Sequence, residues 1–171
     1  MVQFQGVRST GQENPECWNV PDLWTFCQHR TDLHREGGGI WGSDDTFAWD
    51  VNLLGNAERG RPVFAVAPGK IVKYAGIVPP DDNDSGAVLV EHSLDEFACD
   101  SIRGNCWWSG YLHMEDIQVR EGQEVGPGTV LGFISDVSPF PILIHLHLVF
   151  YEGENLPGKL RSVDVSFLAR L

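Results

Sequence analysis

From residue 45 onward the sequence breaks into short apolar segments, each closed off by Gly, Pro or Asp. "TFAWDVNLL", "PVFAVA", "GKIVKYAG", "GAVLVEHS", "WWSGYLHM", "TVLGFISD" and "ILIHLHLVFY" follow one another. Val, Ile, Phe and Tyr suit a pleated, half-buried surface, and the turn residues stop each run before it reaches helical length. The longest stretch that could be helical is the last, "SVDVSFLARL". A chain patterned in this way folds as an all-β sandwich or barrel. Its 171 residues suit a single domain with a proper core.

Two segments echo each other. "RGRPVFAVAPGKIVKYAG" and "REGQEVGPGTVLGFIS" each enter a strand, turn at a Pro-Gly and leave in a second strand. Such an echo predicts a sheet assembled from two similar β motifs.

Residues 1 to 40 show no sustained period and are rich in Pro, Gly, Asn and Trp. They read as an irregular N-terminal wrap on a β domain spanning 41 to 171. The four cysteines fall as two close pairs, Cys17 with Cys27 and Cys99 with Cys106. Neither spacing is Cys-x-x-Cys, so zinc ribbons and thioredoxin-like sites are disfavoured. Two local disulfides are the simplest of the three possible pairings, and "CDSIRGNC" has the turn chemistry of a clipped loop tip. Two disulfides would favour an extracytoplasmic chain, secreted or periplasmic, and the expectation is then that a leader has been removed.

The net charge of −12 argues against a nucleic-acid partner, since phosphates need Lys and Arg clusters and the sequence has none. It also disfavours electrostatic docking on an anionic wall or membrane. No apolar run is long enough to span a bilayer.

Six histidines remain to be explained. In "PILIHLHLVFYEG", strand alternation puts Ile144, Leu146 and Leu148 on one face, and Leu143, His145, His147 and Val149 on the other. Two imidazoles then stand side by side, roughly 7 Å apart at Cα. His113 sits in "GYLHMED", where alternation pairs it with Tyr111 on one face. Asp50 interrupts the apolar "FAWDVNL", which costs free energy unless the carboxylate is paired or meets a cation. His92 ends "GAVLVE" as a hydrogen-bonded strand-end residue or a groove wall, and His29 and His34 read as surface residues of the N-terminal wrap. Oxygen and imidazole are typical donors for tetrahedral zinc, and a catalytic zinc takes three of them and leaves one position open. Asp50, His113, His145 and His147 therefore suit metal-assisted hydrolysis, one donor short.

The succession "AWDVN", "GRPVFAVAPGKIV", "GAVLVEHS", "GYLHM", "VREGQEVGPGTVLGFIS" and "HLHLVF" resembles the lysostaphin-type zinc metallopeptidases, peptidoglycan endopeptidases with a duplicated-hybrid-motif β fold. The resemblance covers roughly residues 40 to 152. It implies a two-sheet β sandwich with Asp50 and His147 as zinc ligands, His145 as general base and His113 as its assistant. The family's first zinc ligand is a histidine four residues before the aspartate. That position holds Thr46, in "DDTFAWD". Asp45 and His34 are the possible substitutes, Asp45 only if a bulge rotates it. "SDVSPFPILI" also lacks the family's Ser/Thr-Gly-Pro approach to the last motif. The resemblance thus implies either a weak zinc hydrolase of cell-wall peptide cross-links, with zinc loosely held, or a non-catalytic module that binds a protein partner through the same groove. In either case a monomer is expected. The echoing halves also resemble the lipoyl/biotinyl carrier sandwich, but no lysine occupies a carrier-type hairpin turn.

Overall fold

A computed structural model describes residues 16–19, 24–28, 43–53, 58–75, 86–94, 99–100, 104–135, 144–154 and 159–165. Eleven strands lie in this part of the chain. They are β1 (Glu16–Asn19), β2 (Trp24–Gln28), β3 (Trp49–Leu53), β4 (Pro62–Phe64), β5 (Gly69–Ala75), β6 (Gly86–Ser93), β7 (Cys106–Glu115), β8 (Glu124–Val125), β9 (Val130–Ile134), β10 (Leu146–Gly153) and β11 (Leu160–Ser162). The main sheet runs β1-β2-β3-β10-β7-β6-β5-β8, with β11 on β10. Among the described residues no helix is long and apolar enough to cross a membrane.

The molecule is an all-β sandwich, and its core divides across the main sheet. Strand alternation explains the division. In β6, Val88 and Val90 join one apolar cluster while Ala87 and Leu89 join the other. In β7, Tyr111 belongs to the first cluster and Trp108 and Leu112 to the second. The first is closed by Val63, Leu131 and Ile134 from the β4/β9 pair. The second is closed by Leu160 of β11, with Cys99 and Cys106 packed against it.

The two echoing halves interlock. β4 and β5 come from the first half, β8 and β9 from the second. β4 pairs antiparallel with β9, and β5 pairs antiparallel with β8. Each half therefore completes its sheet with a strand of the other. Gly69, the glycine of the first Pro-Gly, lies so close to β6 that a Cβ there would sit 2.4 Å from the Glu91 carbonyl oxygen.

The N-terminal segment contributes more than the sequence pattern suggests. β1 and β2 form a hairpin, and β2 adds to β3 over five residues, Trp24 to Gln28 against Leu53 to Trp49. Strands this short carry too few alternations to register as a period. Cys17 stands opposite Cys27 in the hairpin. At the other end, the expected helical stretch begins in β11, and its last residues, 166–171, lie outside the described residues.

Cys99 and Cys106 form a disulfide, and Gly104 in the loop between them takes a positive φ of 67°. Closing so short a loop contributes about 2–3 kcal/mol. Cys99→Ser with Cys106→Ser is expected to lose that amount in urea unfolding. Peptide mapping without reductant should recover Cys99 linked to Cys106 and Cys17 linked to Cys27. A Cys17–Cys99 peptide would refute both pairings.

His92 is buried and belongs to the scaffold. Its Nδ1–H donates to the Pro68 carbonyl at 2.8 Å, and Nε2 lies 2.7 Å from Ser109 Oγ. Ser109 Oγ is 3.0 Å from Tyr111 Oη, which accepts the Val66 N–H at 2.9 Å. This chain ties the bend between β4 and β5 to the middle of the sheet. Burial lowers the His92 pKa from its ordinary 6.5, only partly opposed by the bond to Pro68. Below pH 6.5 the unfolded chain therefore binds a proton that the native state refuses. The stability tied to this group is complete above pH 6.5 and is lost as the pH falls from there. The acid-side decline in urea midpoint should be shallower in His92→Asn than in the wild type. Equal slopes would refute the assignment.

Candidate metal centre

The site grows from the register of β3, β10 and β7. In β10, Leu146 packs into the first cluster, with Ile144 and Leu148 against it, while Val149 and Tyr151 face the second. His147 shares the Val149 face by alternation. β3 runs antiparallel beside β10 with Asp50 opposite His147, so the two become neighbours across the strands. His145 immediately precedes β10. Asp50 Oδ1 lies 3.4 Å from His145 Nε2 and 3.5 Å from His147 Nδ1.

His113 arrives by a different route. Met114 pairs with Gly86 and Leu112 with Ala87, so His113 is an extra residue in the β7 ladder. Its φ is +61°, in the left-handed region that side chains other than glycine rarely adopt. The bulge turns β7: Leu112 faces the second cluster, yet Met114 joins the first. His113 therefore does not share the Tyr111 face, as regular alternation would require. Its ring stands against His145 and His147 instead, at centroid distances of 4.7 and 5.8 Å. The potential donor atoms of His113, His145 and His147 all lie within 4.8 Å of one another.

Before Asp50 the chain is not the extended strand that "TFAWDVNLL" suggests. β3 starts at Trp49, and a turn precedes it in which the Ala48 N–H donates to the Asp45 carbonyl at 3.0 Å. Thr46 is tied to Asp44. Its hydroxyl donates to Asp44 Oδ1 at 2.6 Å, and its N–H reaches the same oxygen at 2.9 Å. The turn sends Asp45 inward to full burial. There Oδ2 meets His147 Nε2 at 3.0 Å and Oδ1 accepts the Tyr151 hydroxyl. Asp45 thus holds the edge of the His147 ring opposite the one that faces Asp50. His34 lies outside the described residues.

Burial alone would lower the His147 pKa. The hydrogen bonds and charges of Asp45 and Asp50 outweigh it and hold the imidazolium up to about 10. The two carboxylates fix the ring from both edges. Sequence reasoning missed Tyr151 as part of this arrangement. Alternation carried the signal, because Tyr151 stands four residues after His147 and shares its face.

Three imidazoles beside a carboxylate form a donor set suited to zinc and to other late divalent cations. A metal there would draw on two adjacent strands, the bulge in a third, and the residue just ahead of β10. One donor of the expected peptidase set is missing, so the cluster is incomplete in that sense.

No family model matches the sequence, and no curated protein matches it. Solved structures do match. The architecture is that of the M23-type, lysostaphin-like zinc metallopeptidases, and the likeness is one of fold. The catalytic domain of the antimicrobial peptidase lysostaphin from Staphylococcus simulans is 18% identical, with a TM-score of 0.50, over 78% of this chain and 84% of that one. The deep-sea M23 metalloprotease pseudoalterin is 19% identical, with a TM-score of 0.48, over 89% of this chain and 75% of that one.

Proposed function

We propose that this chain is a degenerate peptidoglycan endopeptidase. It engages peptides of the cell-wall type outside the cytoplasm, holds a divalent cation at the histidine cluster, and hydrolyses slowly or not at all. One observation carries the reading: His113, His145, His147 and Asp50 converge in a lysostaphin-like fold, while Thr46, at the missing ligand position, is bonded to Asp44.

A divalent ion bound there would supply Lewis acidity toward a peptide carbonyl. In a complete peptidase arrangement Asp50 and His147 act as ligands, while His145 takes a proton and His113 steadies the developing charge. Here the third donor has to come from elsewhere. Asp45 is committed to His147 Nε2 and Tyr151, on the far edge of the ring, and so supports a ligand without replacing one.

The Thr46 turn also favours a second reading, in which the domain binds a protein partner or wall peptide without cleaving it. Incubation with insoluble, cross-linked peptidoglycan separates the two. Co-sedimentation with slow peptide release, measured by mass spectrometry, supports the degenerate enzyme. Co-sedimentation with no release at all selects the binding form. Rapid release would refute degeneracy, and absence of both binding and release would refute peptidoglycan as the target.

A further inference from the structure

We infer that the metal set of this chain is three imidazoles, those of His113, His145 and His147, with Asp50 as the facing carboxylate. The inference rests on the reading of the cluster as a cation site. It reassigns two residues that the peptidase arrangement would use for proton transfer (His145) and for steadying the developing charge (His113).

Three observations support it. The imidazole donors of all three residues lie within 4.8 Å of one another. Zinc–nitrogen bonds of 2.0–2.1 Å put tetrahedral donors about 3.3–3.4 Å apart, so closure by about 1.5 Å at most brings the three onto one ion. His113 is held in the left-handed region by the β7 bulge. A strained non-glycine residue persists where the surrounding structure needs that side chain in that place, and here the strain points the ring at its two partners. Finally, Asp45 fixes His147 through Nε2, which leaves Nδ1 on the edge facing Asp50. A metal-ligating histidine commonly has its other ring nitrogen held by a carboxylate.

The chemistry follows from the donor set. Neutral imidazoles select zinc, copper, nickel or iron over magnesium and calcium. Once all three serve as donors, none is left to accept a proton from a nucleophile. The site then holds a cation firmly, and proton transfer falls to the facing carboxylate of Asp50, a weaker base than imidazole, so hydrolysis is poorly supported.

The test is calorimetric titration of the metal-free chain with zinc alone, repeated with cobalt for its visible absorption. His113→Ala and His145→Ala are each expected to weaken binding by about 100-fold or more, as loss of a direct ligand does. His113→Gln and His145→Gln keep most of the side-chain bulk, and thermal melting of all four variants verifies that they fold. If both alanine variants bind within about tenfold of wild type, while Asp50→Ala and His147→Ala lose binding, the three-imidazole set is overturned and the cation site stands. Loss in only one of His113→Ala and His145→Ala also overturns it. If the wild type takes up neither zinc nor cobalt, the cation site itself falls.

Discussion

Asp45→Ala is expected to destabilise the protein by about 3–5 kcal/mol, because it removes one partner of a buried ion pair and leaves the other in place. Asp45 is completely buried. Its two oxygens serve His147 Nε2 and the Tyr151 hydroxyl, and both of those residues are buried too. Without the carboxylate, a buried imidazolium and a buried hydroxyl lose their acceptor. Asp45→Asn should cost less, since one amide oxygen still accepts a hydrogen bond. Tyr151→Phe should also cost less than Asp45→Ala, about 1–3 kcal/mol, because it leaves the buried Asp45 Oδ1 without its hydroxyl donor while the bond to His147 remains. Urea unfolding gives the order, and a loss below about 1 kcal/mol for Asp45→Ala would refute the buried pair. A second readout is specific to the carboxylate. The two flanking aspartates hold the His147 pKa up to about 10 against the effect of burial. An NMR titration of Asp45→Asn should find it lower.

Much of this arrangement was legible in the sequence, and its limits have a physical origin. Strand character, the two-faced reading of "ILIHLHLVFY" and the paired echo all follow from side-chain periodicity and turn chemistry, which are local. The placement of His147 beside Asp50 needed only alternation and the order of the motifs. What escaped depends on departures from regular strand geometry. His113 reaches the cluster through a bulge, so counting by twos put it on the Tyr111 face. Asp45 turns inward because residues 45–48 fold into a turn, whereas an extended strand would carry Thr46 on the Asp50 face. That turn is set by β11, more than a hundred residues later. The backbone of Asp44 pairs with that of Arg161 in an isolated parallel β-bridge, and the Phe47 N–H donates to Ser162 Oγ at 3.1 Å. No local pattern near Asp50 announces those contacts. The N-terminal hairpin escaped for a related reason, since its strands become regular only by adding to β3.

Thr46→His is expected to leave both peptide cleavage and zinc affinity within about threefold of wild type, the range of an ordinary substitution away from a site. On a regular strand this change would put an imidazole beside Asp50 and complete the lysostaphin-type ligand set. The turn prevents it. Residue 46 sits where its side chain meets Asp44, and several bonds to β11 hold the segment there. The Asp44 N–H donates to the Leu160 carbonyl at 3.3 Å, and the Ser162 N–H donates to the Asp44 carbonyl at 3.1 Å. Drawing residue 46 toward Asp50 would break these contacts and pull Asp45 away from His147 and Tyr151. The cost of removing that carboxylate alone exceeds what a single new imidazole returns. The wild type's own deficit should be large. Positioned proton transfer contributes about 10²–10⁴ in rate, and His113 and His145 cannot supply it while they serve as metal donors. Cleavage of a cross-linked peptidoglycan peptide should therefore run about a thousandfold or more below that of an enzyme with separate ligands and base. A gain of about 100-fold or more in Thr46→His, together with tighter zinc binding, would overturn this account. It would show that the segment before Asp50 can extend into β3 and that only the missing histidine separates this chain from an active peptidase.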